Sequence, residues 1–370
     1  MQDSQDFTPK LVEEDAEATP SHAIARRALM SGVSLAGALA LLGGGLGAAE
    51  AAGASPFPAH RRWKLVFVNH VTTNPFFVPT QYGIADACAM FGCDYQWTGS
   101  ANADVAQMVN AMNAAVAAKA DAIAVCIVDP KAFDQPTEKG LAAGIPVFSY
   151  NADAPAGSAN KRLAYIGQDL YQSGVQMGQR IAGLVDSGTL GLFIATPGQL
   201  NIQPRIDGAQ DALKKSGKSY DIQVIATGPT VNEELSKIKA FYLGHQNLKG
   251  MFAVDAGSTQ GVAETMHQYG LAEKGVHAGG FDLLPRTLEM IKAGALDFTI
   301  DQQPYLQGFY TVMEMFMYLA SGGLVGPAEI NTGLKFVTKG GVEPYLATAT
   351  RYEGKSSKPT IVPRSGAIAG

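Results

Sequence analysis

Cysteine is scarce in this chain: three in 370 residues. Cys88, Cys93 and Cys126 have no repeated spacing, which excludes a disulfide framework and a zinc ribbon. Cys126 ends the apolar run Ala122–Cys126 and reads as a small buried hydrophobe. Cys88 and Cys93 are either free or bridged after export. A surplus of either charge is also missing. The formal net charge is −5, and the first 51 residues hold seven acids against three bases, so 26 acids face 25 bases in the rest. A body this neutral has no basic field to attract nucleic acid. Catalytic signatures are absent too: there is no GxSxG, no HExxH and no Cys/His motif. With no P-loop and no GxGxxG following a strand, neither an enzyme nor a cofactor is expected. Apart from Ala28–Ala49, no run is long and apolar enough to span a membrane.

That one run is an address. Arg26-Arg27 precede an uncharged stretch of Ala, Gly and Leu, which ends in the A-x-A-like Ala49-Glu50-Ala51. Residues 1–51 therefore read as a twin-arginine signal peptide, and the mature chain as periplasmic. A retained anchor is the rival reading. Gly43, Gly44, Gly45 and Gly47 weaken the run as a spanning helix, and the cleavage-like end argues for removal.

From Lys64 onward strands and helices alternate. Short apolar runs such as Lys64–Val68, Ala122–Val128, Thr189–Ala195 and Gly250–Val254 are separated by segments of helical spacing, among them Val105, Met108, Val109, Met112 and Val116. This is the pattern of a parallel sheet covered by helices. The rhythm restarts after Leu163–Ile166, and 370 residues are too many for one core. The expected fold class is α/β, with two doubly wound parallel-sheet lobes. The tail from 347 to 370 is polar and is expected to be poorly ordered.

In open α/β sheets ligands bind beyond the carboxyl ends of the strands. Here those ends carry Asn74, Asp129, Asn151, Asp255, Asp282 and Asp301. Any one of them is an ordinary turn former or helix cap; six at one topological position point to a shared polar cleft. The loop after the first strand adds His70 and the aromatic pair Phe76-Phe77. Read locally, the two rings staple the next helix to the core; beside the acids they become a stacking wall. His70 is either a ligand contact or a structural histidine. Carboxylates and amides suit ring hydroxyls, Arg205 offers them a fork and offsets nearby Asp, and aromatic faces suit the CH face of a sugar ring.

The ordered motifs carry a family resemblance. Asn74-Pro75-Phe76-Phe77, Arg205-Ile206-Asp207-Gly208, Gly280-Phe281-Asp282, Thr299-Ile300-Asp301-Gln302-Gln303-Pro304 and Gln307-Gly308 recur in sequence. Over about Lys64 to Val337 the chain resembles the ribose/galactose-type periplasmic sugar-binding proteins, substrate-binding subunits of ABC importers with the type I periplasmic binding protein fold. The resemblance implies two lobes joined by a three-segment hinge: 63–168 plus 303–330, and 169–301 plus 331–346. The chain would cross between them near Gln168-Asp169, near Asp301-Gln302 and between Gly322 and Thr332. It places ligand contacts at Asn74, Phe76, Phe77, Asp129, Asn151, Arg205, Asp255, Asp282 and Gln302. It also implies a monomer that closes on its ligand and delivers it to an ABC permease driven by an ATPase.

The pattern departs from ribose binders at Asn151-Ala152, where they carry Asp-Arg, and at Asp129 and Asp255, where Asn is common. These departures turn the expectation from ribose to another neutral monosaccharide or polyol, such as an inositol, or to an amino-sugar-like cation. A periplasmic sugar sensor feeding a membrane receptor is the first alternative. A transcription repressor of the same fold would need a helix-turn-helix where the export signal stands.

Overall fold

The computed structural model describes residues 59–346 apart from residue 325, all within a single compact unit. The signal peptide and the polar tail expected from the sequence lie outside the described residues. Two six-stranded sheets organise the chain. The first contains β1 (Trp63–Asn69), β2 (Cys93–Gly99), β3 (Ala122–Val125), β4 (Val147–Tyr150), β5 (Tyr165–Gly167) and β11 (Glu329–Asn331), in the order β11-β5-β4-β3-β1-β2. All its pairings are parallel. The second contains β6 (Gly188–Ile194), β7 (Tyr220–Ala226), β8 (Gly250–Ala253), β9 (His277–Phe281), β10 (Phe298–Asp301) and β12 (Lys335–Val337). Its order, β12-β10-β9-β8-β6-β7, repeats the first, except that β12 runs antiparallel to β10. Each sheet reverses strand order between its first and third strands, which is where an open α/β sheet forms its crevice.

The sequence explains the layers. Leu65–Val68 are buried on both faces, as strands sandwiched by helices require. The helices α1 (Val78–Phe91), α2 (Val105–Ala117), α3 (Asp134–Ala142) and α9 (Pro304–Ser321) go with the first sheet. Those between β5 and β10 go with the second: α4 (Leu170–Leu184), α5 (Gln203–Lys215), α6 (Val231–Gly244), α7 (Ala256–Gln268) and α8 (Pro285–Ala293). In α2, Asp104 caps the first turn by accepting from the Gln107 N–H, and Met108, Met112 and Val116 turn one face into the core.

Two of the recurring motifs owe their glycines to helix packing. A Cβ at Gly308 would lie 2.1 Å from the Thr80 carbonyl oxygen, and one at Gly83 2.1 Å from that of Tyr305, so α1 and α9 touch backbone to backbone. Gly208 and Gly174 do the same for α5 and α4, each with an added Cβ 2.2 Å from a carbonyl oxygen of the other helix.

The chain passes between the sheets after β5, after β10 and between β11 and β12. The three passages are tied together: Gln168 Nε2 donates to the Gly333 carbonyl (3.0 Å) and Thr332 Oγ1 to the Gln302 carbonyl (2.8 Å). The third passage begins at Thr332, the last residue of the expected stretch, because 329–331 form a strand the sequence did not announce. That strand is short and sits at the sheet edge, and its Glu-Ile-Asn lacks an apolar run. Near its end β3 is shorter than expected. Cys126 and Ile127 remain buried, but their N–H groups bond to Val68 and Ala152 outside the ladder. All three cysteines are buried and free, so the Cys88–Cys93 bridge is not formed.

Candidate functional site

The exit of β1 makes one wall. Asn74 Oδ1 accepts from the Phe76 N–H (3.0 Å) and caps the turn Pro75–Phe77. The Asn74 amide N–H groups and a second lone pair of Oδ1 then remain for another partner. The turn sets the Phe76 and Phe77 rings edge to face, centroids 4.7 Å apart. His70 packs edge-on against Phe77 at 5.3 Å. The two rings share an apolar cluster with Ala256 and Leu284, which belong to the other lobe. The staple reading and the wall reading thus describe the same pair: Phe77 is fully buried, and both rings face across to the second lobe.

Asn151 and Asp282 follow β4 and β9 directly, and each has a left-handed backbone, with φ 63° and 76°. Asn and Asp bear this conformation better than other side chains, and held strain of this kind gathers at functional sites. A chain of amides joins the two residues. Asn151 Nδ2 donates to Gln307 Oε1 (3.1 Å), Gln307 Nε2 to Gln302 Oε1 (3.0 Å), and Gln302 Nε2 to Asp282 Oδ1 (2.6 Å). The relay runs from the first lobe through the second passage into the other lobe. Burial raises the Asp282 carboxyl to about 7, against the opposing pull of Arg205 and Gln302.

Arg205 is 2% exposed. Its Nη1 donates to the Val254 carbonyl (2.8 Å), its Nη2 to Gln168 Oε1 (3.1 Å), and its guanidinium lies 4.1 Å over the Phe281 ring. Two of the five N–H groups of the fork are thus held by the protein, and Arg205 braces the wall. Its Nε is buried without a partner. Burial lowers its pKa, with Asp282, Tyr165 and Asp255 opposing. Asp255 caps α7 through Oδ1 to the Ser258 N–H (2.8 Å), while Oδ2 accepts from the Ala195 N–H (2.9 Å). Its carboxyl is raised, first by burial.

These side chains converge. Nine of the ten residues singled out from the sequence line one cavity of about 40 Å³: His70, Asn74, Phe76, Phe77, Asn151, Arg205, Asp255, Asp282 and Gln302. Asp129 does not. Its Oδ1 accepts from the N–H groups of Lys131 and Ala132, so this acid caps the turn at the β3 exit. The sequence reading missed Asn201, Ile202 and Ala256, which complete the lining, and Gln307, which aligns Gln302. Ala256 and Ile202 sit beside recognised positions but carry no polar signal. Asn201 lies in the loop between β6 and α5, and its amide is the clue the sequence offers. Among the described residues no group of three His, Cys, Asp or Glu side chains could hold a metal, and no helix is long and apolar enough to cross a membrane.

The model of the periplasmic binding protein domain matches residues 65–323, which include every residue of the cavity. The chain belongs to the periplasmic binding protein family. It is 52% identical over 327 residues to a xylose/arabinose-binding protein from Sulfolobus acidocaldarius, covering 85% of this chain and 80% of that one. Among solved structures, an ABC transporter solute-binding protein from Burkholderia graminis, in complex with D-arabinose, superimposes with a TM-score of 0.72. It is 25% identical and covers 78% of this chain and 99% of its own. A carbohydrate transporter protein from Acidothermus cellulolyticus, in complex with myo-inositol, gives 0.67 at 25% identity, covering 77% and 97%. This periplasmic binding protein has the type I fold, two α/β lobes with parallel sheets, and is a binder rather than an enzyme.

Proposed function

We propose that the protein captures a neutral monosaccharide, a pentopyranose or a closely related sugar or polyol, between its two lobes. The observation that carries this reading is the convergence of nine polar and aromatic residues from both sheets on one cavity. Amides and carboxylates there match ring hydroxyls, and the Phe76-Phe77 pair offers a face for the CH side of a ring. The excess of carboxylates over the single, already engaged Arg205 disfavours an anionic ligand. The 52% identity to a xylose/arabinose-binding protein favours a pentose first. Ligand touching both lobes stabilises the closed form through contacts the open form lacks. The closed protein then delivers the sugar to an ABC permease powered by an ATPase, after twin-arginine export to the periplasm; a sensor passing occupancy to a membrane receptor would use the same site. A thermal-shift and calorimetric screen of pentoses, hexoses, inositols and amino sugars tests the reading. A pentose should raise the transition, and no response to any of them would overturn it. Processing after residue 51 and a neighbouring permease would support the import role.

A further inference from the structure

The cavity does not end at Asp255. A second cavity of about 40 Å³ adjoins it and shares five wall residues: His70, Asn74, Asn201, Ile202 and Asp255. The rest of its wall is of two kinds. Val71, Ala103, Ala195 and Pro229 are apolar along the sides; Thr196 and Glu234 are polar. Glu234 is 3% exposed, and its Oε2 has no hydrogen-bond partner. His70 Nδ1 and Asn201 Oδ1, on the shared wall, are also buried and unpartnered. A buried polar atom left unpaired is costly, so three of them around one compartment point to a ligand that pairs with them.

Glu234 is held over the first turn of α7. A Cβ at Gly257 would lie 1.5 Å from its Oε2, so only glycine at 257 lets the carboxyl rest there. Burial, and then the neighbouring Asp255 charge and a side-chain hydrogen bond with Asp255, favour the neutral form of Glu234. The Asp255 contact engages part of the carboxyl and leaves Oε2 for a ligand hydroxyl. The apolar sides with a polar end suit a group built the same way.

We propose that this second compartment receives the exocyclic hydroxymethyl group of a hexopyranose, its methylene against Val71, Ala103, Ala195 and Pro229 and its hydroxyl at Glu234, making Glu234 a specificity-determining residue. The inference rests on the sugar-site reading above and extends it: the protein takes hexoses as well as pentoses.

Matched sugars test it. D-glucose is D-xylose with a hydroxymethyl group added at C5, and D-galactose stands in the same relation to L-arabinose. Calorimetry on the full mature chain should find the hexose of at least one pair binding within tenfold of its pentose. In Glu234→Leu the ratio of hexose to pentose affinity should fall at least tenfold. Gly257→Ala, which displaces the carboxyl without changing it, should move the ratio the same way. Glu234→Gln, uncharged and of the same shape, should keep the ratio within threefold of the wild type. Pentose binding with no hexose binding would overturn the inference and leave the sugar-site reading standing. An unchanged ratio in both Glu234→Leu and Gly257→Ala would overturn it too. Failure of all four sugars would overturn the sugar-site reading and this inference with it.

Discussion

The side-chain amide nitrogen of Asn201 lies 3.1 Å from His70 Nε2, and the two residues come from different lobes. Asn201 is the last of three consecutive residues that reach across. Gln199 Nε2 donates to the Ala103 carbonyl (3.0 Å) and the Leu200 N–H to that of Val128 (2.9 Å). One loop, between β6 and α5, thus latches the second lobe to the first beside the cavity. With Nε2 accepting from Asn201, the His70 proton sits on Nδ1. Burial drives the His70 pKa down to about 4, so the ring stays neutral at the pH where the latch works.

Removing the latch should favour the open form. A single neutral hydrogen bond contributes about 0.5–1.5 kcal/mol. Asn201→Ala should therefore weaken sugar binding about two- to tenfold, mostly through faster release. Stopped-flow dissociation checks this, and an unchanged release rate would mean that the contact does not bear on closure.

The amide relay makes a stronger demand. Gln307→Leu keeps the volume but leaves Asn151 Nδ2 and Gln302 Oε1 without their partner. Each unpaired buried group costs about 1–3 kcal/mol, so both the melting temperature and the affinity should fall. A loss of melting temperature alone would assign Gln307 to the hinge only.

Arg205→Ala should fold less stably and bind far more weakly, since it removes a brace between Val254 and Gln168 and uncovers Phe281. Leaving the Val254 carbonyl and Gln168 Oε1 without their donor costs about 1–3 kcal/mol each, and Asp282 loses a nearby positive charge. Calorimetry at a temperature where circular dichroism shows a folded chain separates the two effects.

Much of this site was legible because parallel strands announce themselves as short apolar runs and their exits carry ligand groups. Asn151, Asp255 and Asp282 could be placed from that rule alone. The same rule failed at Asp129, because a carboxylate one residue before a proline can equally well cap its own loop, and only the geometry shows which. Gln307 and Glu234 were invisible to it. Gln307 lies inside a long helix and reaches the site only because Gly308 lets that helix close on α1. Glu234 lies in the first turn of α6, where an acid is an ordinary N-terminal residue. The edge strand β11 has too little apolar content to be read as a strand at all.

Stability should depend on pH through Asp282. Its folded pKa, about 7, lies above the ordinary carboxylate value because of burial. The folded state therefore holds a proton that the unfolded state releases, and the stability this supplies is full below about pH 4 and lost as pH rises through 7. His70 acts in the opposite sense, losing stability as pH falls from 6.5 through 4. Asp282→Asn keeps the acceptor for Gln302 and tolerates the left-handed backbone. Denaturant midpoints for this variant should fall less between pH 4 and 7 than those of the wild type. Parallel curves would show that Asp282 is ionised throughout.

Phe76 and Phe77 are neighbours with different duties. Phe77 is 1% exposed and is enclosed by Phe76, His70 and Trp97, with centroids 4.7, 5.3 and 5.8 Å away. Phe76 is 9% exposed, and the other lobe meets it through the cluster with Ala256 and Leu284. Truncating a buried aromatic typically costs about 3–5 kcal/mol of stability. Phe77→Ala should reach that range, because its ring is packed on several sides within its own lobe. Phe76→Ala should cost less in folding and more in binding, because part of its surface is covered only when the lobes and the ligand come together. Melting temperatures measured without sugar, set beside affinities measured by calorimetry, separate the two. If Phe76→Ala lost as much melting temperature as Phe77→Ala while binding sugar normally, both rings would be staples, and the stacking face of the cleft would have to be sought among its other walls.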